Sequence, residues 1–250
     1  PFTRTLTGKL THKVRAFHSQ SAMKNDYKGS MLANYNEDSK FQQSNHSAAL
    51  LAEQIKLLYQ QATRALFATL IISTALVVVF WNYISTDWLL GWLAATYLLT
   101  FTRFLLIRSF FRKNPSVTES VTWGHLFISG VLLSGMLWGV AGSAFFVVDS
   151  ALHQLFLAYL LGGMIAGATA TLSSYKGAFP AFAIPVAVPF VYRVITHASD
   201  TSIAMALTYL LFVLIMGSIS YRLHQTLTNS LNLRFNNFDL LNRLLQSQDR

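Results

Sequence analysis

The sequence contains no cysteine and few charged residues. Because none of the 250 residues is a cysteine, disulfide frameworks, thiolate metal sites and cysteine nucleophiles are excluded. Charged residues make up 12% of the chain, about half of the roughly 25% that is usual in soluble domains. Apolar residues make up 53%, and the mean hydropathy is +0.41. A soluble surface needs many ionised groups, so this composition favours a membrane protein.

Motifs for common enzymatic and metal chemistry are also missing from the sequence. It has no HxxxH or HExxH pair, no P-loop, no dinucleotide fingerprint and no serine nucleophile elbow. We therefore predict no catalytic residue, no metal site and no cofactor. No pair of carboxylates lies within an apolar segment, which counts against a proton-coupled transporter.

Six apolar segments, separated by short polar breaks, are each long enough to cross about 30 Å of hydrocarbon. Backbone groups in lipid must be satisfied within the segment, so each is predicted to be a helix. The fold class is therefore all-α, a polytopic membrane protein with a cytoplasmic coiled-coil-like helix at its C-terminus. The six spans are predicted near 63–84, 88–107, 124–147, 153–172, 178–196 and 202–221.

Three regions follow from this pattern. Residues 1–50 hold seven Lys or Arg against three Asp or Glu, and we interpret them as a largely disordered, basic cytoplasmic tail. A short amphipathic pattern within the tail leaves open a helix lying on anionic lipid. Residues 51–221 form the transmembrane domain, and residues 222–250 form the exit helix.

Lysine and arginine predict the orientation. They flank the breaks after the second and fourth spans, at Arg112 and Lys176 for example, whereas the loops near Asp87, Asp149 and Asp200 have none. Both termini are therefore predicted to be cytoplasmic, in a bacterial inner membrane. The formal charge of +9 is explained by this orientation, and we predict membrane lipid rather than nucleic acid as a partner.

Glycines at GxxxG spacing predict close helix packing, because a helix without Cβ atoms lets a neighbour approach. Gly135 and Gly139 have this spacing in the third span, and Gly163 and Gly167 have it in the fourth. The simplest interpretation is that these two spans pack together as an antiparallel hairpin. A homodimer seam is the alternative.

The fifth span is predicted to kink or break, because Pro180, Pro185 and Pro189 each remove a backbone donor. Such a break either forms a ligand cavity or hinge, or is only a static kink. Arg193 lies near the outer end of the same span. Arg103, in the second span, is expected to extend its side chain toward the nearer, cytoplasmic end.

Two further ligand candidates share the loop before the fourth span. Asp149 and His153 are placed to sense pH or an anion, although such residues are more often solvated interface groups.

The chain beyond Arg222 is polar but keeps a helical pattern. Its apolar positions are spaced 4, 3, 4, 3 and 4, as in a coiled-coil seam, with Arg234 as a charged intruder. We predict a homodimer through this helix, which would carry motion of the sixth span outward. A helix folded back on the membrane is the alternative. The apolar seam positions are Leu227, Leu231, Phe238, Leu241 and Leu245.

Four stretches resemble the multi-span sensor regions that precede PAS, GGDEF, EAL or histidine-kinase domains in bacterial signalling proteins. They are 123–142 (WGHLFISGVLLSGMLWGVAG), 153–175 (HQLFLAYLLGGMIAGATATLSSY), 179–189 (FPAFAIPVAVP) and 222–245 (RLHQTLTNSLNLRFNNFDLLNRLL). The resemblance implies signal input to cyclic-di-GMP turnover or to phosphorylation. It supplies no ligand motif. No GGDEF, EAL or kinase segment follows Arg250, so the chain is expected to be a fragment or a sensor module without its output.

The predicted function is therefore that of a membrane-embedded sensor that relays a stimulus to a cytoplasmic output domain or partner protein. The chain itself is not expected to be an enzyme. A small transporter or channel, which needs a polar path through the bundle, is one alternative. A structural or adaptor subunit, in which the tail and the exit helix bind partners, is another.

Overall fold

The computed structural model describes residues 46–196 and 200–248. The chain divides after Ala48 into two units, and the account below concerns the second unit. Of the tail predicted to be disordered, residues 1–45 lie outside the described residues, whereas residues 46–50 are helical and begin the first helix.

The described chain is helical throughout and contains no strand. All six helices are long and apolar enough to cross a membrane, which confirms the predicted all-α, polytopic fold. They are α1 (His46–Phe80), α2 (Thr86–Lys113), α3 (Val117–Ala144), α4 (Ala151–Leu172), α5 (Ala178–Thr196) and α6 (Asp200–Gln248).

The break between α2 and α3 shows why the helices end where they do. Asn114 adopts a left-handed conformation with φ of 43°, which asparagine tolerates better than most residues, and its N–H donates to the carbonyl of Phe110. Pro115 then disfavours helical geometry at the residue before it. Helix α3 begins at once with a capping box between Ser116 and Glu119.

One end of the bundle collects the basic breaks. The hydroxyl of Tyr59 in α1 donates to the carbonyl of Trp123 in α3 at 3.0 Å, and Gln54 donates to Thr228 in α6 at 2.9 Å. We call this the basic end. Its cations include Lys56, Arg108, Arg112, Lys113, Lys176 and Arg222.

The opposite end contains the breaks after α1 and after α3, which hold no lysine or arginine. The ring of Tyr83, just after α1, lies 3.9 Å from that of His153 in α4, and Trp92 of α2 meets Phe145 after α3 at 5.4 Å. These two breaks therefore lie at the end away from the basic breaks.

Helices α3 and α5 form the inside of the bundle, with about half of the most apolar part of each buried. Helix α5 packs most extensively against α3, and also contacts α4 and α6. By contrast, α2 and α6 expose many large apolar side chains, such as Phe101 and Leu214. An apolar exterior of this kind suits contact with lipid.

Candidate functional site

Helices α3 and α5 approach closely along a seam. A Cβ atom added to Gly139 would overlap the carbonyl oxygen of Pro185, and one added to Gly135 would lie 2.7 Å from the carbonyl oxygen of Phe182. Both glycines are buried. Only glycine allows the two backbones to approach this closely.

The prolines of α5 contribute the other half of this glycine–proline seam. Proline has no N–H, so Pro189 leaves the carbonyl of Pro185 without its helical donor, and Pro185 does the same to Ala181. These carbonyls lie against α3: the Ala181 oxygen is 3.3 Å from the Cβ position of Gly135. A glycine spacing of four on α3 therefore matches a proline spacing of four on α5. Cα–H···O contacts are a recurring feature of such helix pairs.

The predicted hairpin between α3 and α4 through their glycines is wrong. The partner of Gly135 and Gly139 is α5, whereas Gly163 and Gly167 have no atom within 4 Å of their Cβ positions and are exposed on α4. Gly163 instead borders a groove of about 690 Å³ between α4 and α6. The GxxxG pattern identified a smooth helix face but not the helix that covers it.

The predicted break in the fifth span is also absent. Helix α5 is continuous, with Pro185 and Pro189 inside it. Pro180 lies in its first turn, where the backbone N–H has no acceptor within the helix and its loss costs nothing. The break is therefore wrong, whereas the kink stays a prediction.

His153 packs against the end of α1 and does not lie at a solvated surface. It is buried, with its ring 5.4 Å from that of Phe80, and its Nδ1 hydrogen-bonds the hydroxyl of Ser150 at 2.6 Å. Asp149 is exposed in the adjoining loop. Arg193, in the last turn of α5, is half-buried. The histidine is thus held by the fold, and the aspartate is open to solvent.

Arg103 does not extend toward the nearer end of the bundle. Its Nη1 donates to the hydroxyl of Ser134 at 3.0 Å, which lies about 26 Å along α3 from its start at the basic end. The guanidinium also lies 5.5 Å from the ring of Phe127. No described carboxylate lies within ion-pair distance of it. The expected extension toward the cytoplasmic end is therefore wrong, and the cation points into the bundle.

A groove at the basic end, which we call the α5–α6 groove, combines apolar and polar walls. It has a volume of about 640 Å³ and lies between α5, α6 and the loop that joins α4 to α5. Pro180 lines it, but the other prolines and Arg193 do not. The loop turns at Gly177, whose φ of 94° favours glycine. The Nδ1 of His224 lies 3.0 Å from the carbonyl oxygen of Ser173.

The predicted ligand residues therefore do not form a single site. Pro180 borders the α5–α6 groove, Pro185 and Pro189 face α3, and Asp149 and His153 lie at the opposite end. The sequence interpretation missed Lys176 and His224 as groove residues. Their chemical types were visible at span ends, but their pairing across 48 positions depends on how α4, α5 and α6 pack.

The seam predicted for the exit helix is divided by burial. Leu231 is buried within the chain and Leu227 is half-buried, whereas Leu241 and Leu245 are 55% and 60% exposed. The side chain of Phe238 lies outside the described part. Only the distal pair is therefore seen to be open to a partner.

No protein family, curated protein or solved structure matches this chain. The fold and the grooves define a polytopic all-α membrane protein.

Proposed function

We propose that this chain is a signal-input module of a bacterial inner membrane, with both termini in the cytoplasm. It relays a stimulus through α6 to a cytoplasmic output domain or partner protein, and catalysis is not part of its role. The segregation of cations to the basic end supports this orientation. The resemblance of 123–142, 153–175, 179–189 and 222–245 to bacterial sensor regions supports the class.

The observation that carries the proposal is the continuity of α6. This helix has 49 residues and is about 74 Å long at 1.5 Å per residue. The hydrocarbon core spans about 30 Å, so a large part of the helix extends beyond it. No glycine or proline follows Gly217 within the helix. The spanning part and the exit part therefore form one rod.

Contacts within the bundle couple this rod to the helices that carry the glycines and prolines. Helix α6 packs against both α4 and α5, and α5 is fixed to α3 by the glycine–proline seam. A rearrangement of α5 displaces α6, and a continuous helix transmits that displacement without loss at a hinge. The exposed Leu241 and Leu245 then offer a surface on which two copies pair.

Single cysteines test the pairing, and the chain has no native cysteine to interfere. We expect Leu241→Cys and Leu245→Cys to form disulfide-linked dimers on oxidation in native membranes, because the seam faces its own copy. Leu240→Cys is the matched control. Leu240 is 58% exposed, but it lies about 100° around the helix from Leu241, and its crosslinking should be weak. Non-reducing electrophoresis measures the dimer fraction.

A full scan over 227–245 decides the relay proposal. Crosslinking that repeats at intervals of three and four positions supports a coiled-coil seam. Equal crosslinking at every position, or none, contradicts it. Efficient crosslinking at position 227 would show that the covered part of the seam, at Leu227 and Leu231, also becomes accessible to a second copy.

A further inference from the structure

The α5–α6 groove changes character along its length. Ile184 and Leu214, near the middle of the bundle, are 59% and 68% exposed at its walls. Towards the basic end the lining becomes polar, with Ser218, Tyr221 and His224 on α6. Its volume of about 640 Å³ lies within the range of roughly 300–1,000 Å³ typical of small-molecule sites. The groove therefore fits an amphiphile, with an apolar chain along the helices and a polar head at the basic end.

The charge at the polar end of the groove indicates which kind of head group binds there. Lys176 lines the groove from the α4–α5 loop, and none of its lining residues, all of which the structure describes, is acidic. The carbonyl of Ser173 only accepts, so Nδ1 of His224 must carry the proton in their hydrogen bond at 3.0 Å. The ammonium of Lys176, with no acidic side chain among the lining residues, is complementary to an anion.

The exposure of the apolar walls indicates that this anion is part of a lipid. Because Ile184 and Leu214 are exposed on the lipid-facing side, an acyl chain enters laterally from the bilayer without crossing water. A free phosphate would use the polar end and leave the apolar part empty. The lining offers no acid to balance the charge of Lys176, so the occupant must supply the negative charge, as an anionic head group does.

We propose that the α5–α6 groove is a binding site for an anionic phospholipid. The phosphate lies against Lys176 at the polar end of the groove, and one acyl chain lies along Ile184 and Leu214. This site does not depend on the proposed signalling role, since a transporter or an adaptor would bind the same lipid. It lies where α6 leaves the bundle, next to the exit helix.

Lipid titration of the full chain tests the site. Purified protein is titrated with phosphatidylglycerol and with phosphatidylcholine of identical acyl chains, and bound lipid is counted by native mass spectrometry. We expect phosphatidylglycerol to bind about tenfold more tightly, as one charge-assisted contact would give. Lys176→Gln should abolish this preference, because it removes the cation of the lining.

Lys113→Gln is the matched control for charge. Lys113 is a cation at the same end, but it lies over the ring of Trp123 at 5.8 Å and outside the groove. Its removal should leave the preference unchanged. If Lys113→Gln weakens binding as much as Lys176→Gln, the attraction is general to the basic end and the site is disproved. Equal binding of the two lipids in the unaltered protein also disproves it.

Gly217→Leu tests the acyl part separately. A Cβ at Gly217 would lie 3.8 Å from the ring of Phe179, an ordinary contact, so a leucine enters the groove without displacing backbone. We expect this change to weaken binding of both lipids. Gly167→Leu, on the exposed face of α4, is the control and should leave binding intact. Unchanged binding in Gly217→Leu would contradict the acyl placement.

Discussion

Gly139→Ala is expected to destabilise the protein by about 3 kcal/mol, at the upper end of typical over-packing costs. The added methyl group would overlap the carbonyl oxygen of Pro185 and lie 3.1 Å from Cγ of Pro189. A backbone carbonyl inside a helix has no rotamer to change, so α3 and α5 must separate. Separation removes the van der Waals contacts that hold membrane helices together in the absence of a hydrophobic driving force.

Thermal unfolding in detergent measures this effect. For a chain of this size, 3 kcal/mol corresponds to a fall of about 10 °C in the melting temperature. Gly163→Ala is the matched control, because its Cβ position has no atom within 4 Å. Alanine is the better helix former by about 1 kcal/mol, so the control should melt at the same temperature or slightly higher. If the two variants melt alike, the glycine–proline seam is not a determinant of stability.

Features that depend on the local sequence were predictable, whereas features that depend on which helices pack together were not. Helix α5 has its predicted bounds, 178–196, because polar residues and a glycine mark its ends. The partner of Gly135 and Gly139 was not predictable, since a GxxxG pattern is the same whichever helix covers it. The proline spacing of four on α5 was visible, but its match to α3 depends on the two helices running side by side.

Arg103 is a case in which a local rule was available but was not applied. The Cα–Cβ bonds of a helix tilt toward its N-terminus. Helix α2 runs toward the basic end, so this tilt directs the side chain away from that end. We expected the opposite direction for the Arg103 side chain, because the residue lies near the predicted cytoplasmic end of its span. The structure follows the tilt, and Ser134 of α3 accepts the hydrogen bond.

The position of Arg103 leads to a second prediction with a large effect. A cation at membrane depth costs about 2.5–3.5 kcal/mol on insertion scales. One hydroxyl and one aromatic ring offset only part of this. Arg103→Met keeps an unbranched, apolar side chain and removes the charge, so we expect stability to rise by about 2 kcal/mol. Thermal unfolding in detergent should show a melting temperature higher by roughly 6 °C.

A double-mutant cycle then assigns the effect to the pair. Ser134→Ala leaves the guanidinium without its acceptor and should cost about 2 kcal/mol in the native background. In the Arg103→Met background it should cost no more than the loss of the Ser134 hydrogen bond to the carbonyl of Gly130. Ser129→Ala is the control, because Ser129 bonds only its own helix, at the carbonyl of Leu126. Additive effects of the two changes would contradict the coupling.

If Arg103→Met is instead destabilising, the arginine contributes to the stability of the bundle, and its charge is compensated by more than Ser134 and Phe127. A gain in stability would mean that the chain carries this cation at a cost, which is typical of charged groups that serve function inside a membrane.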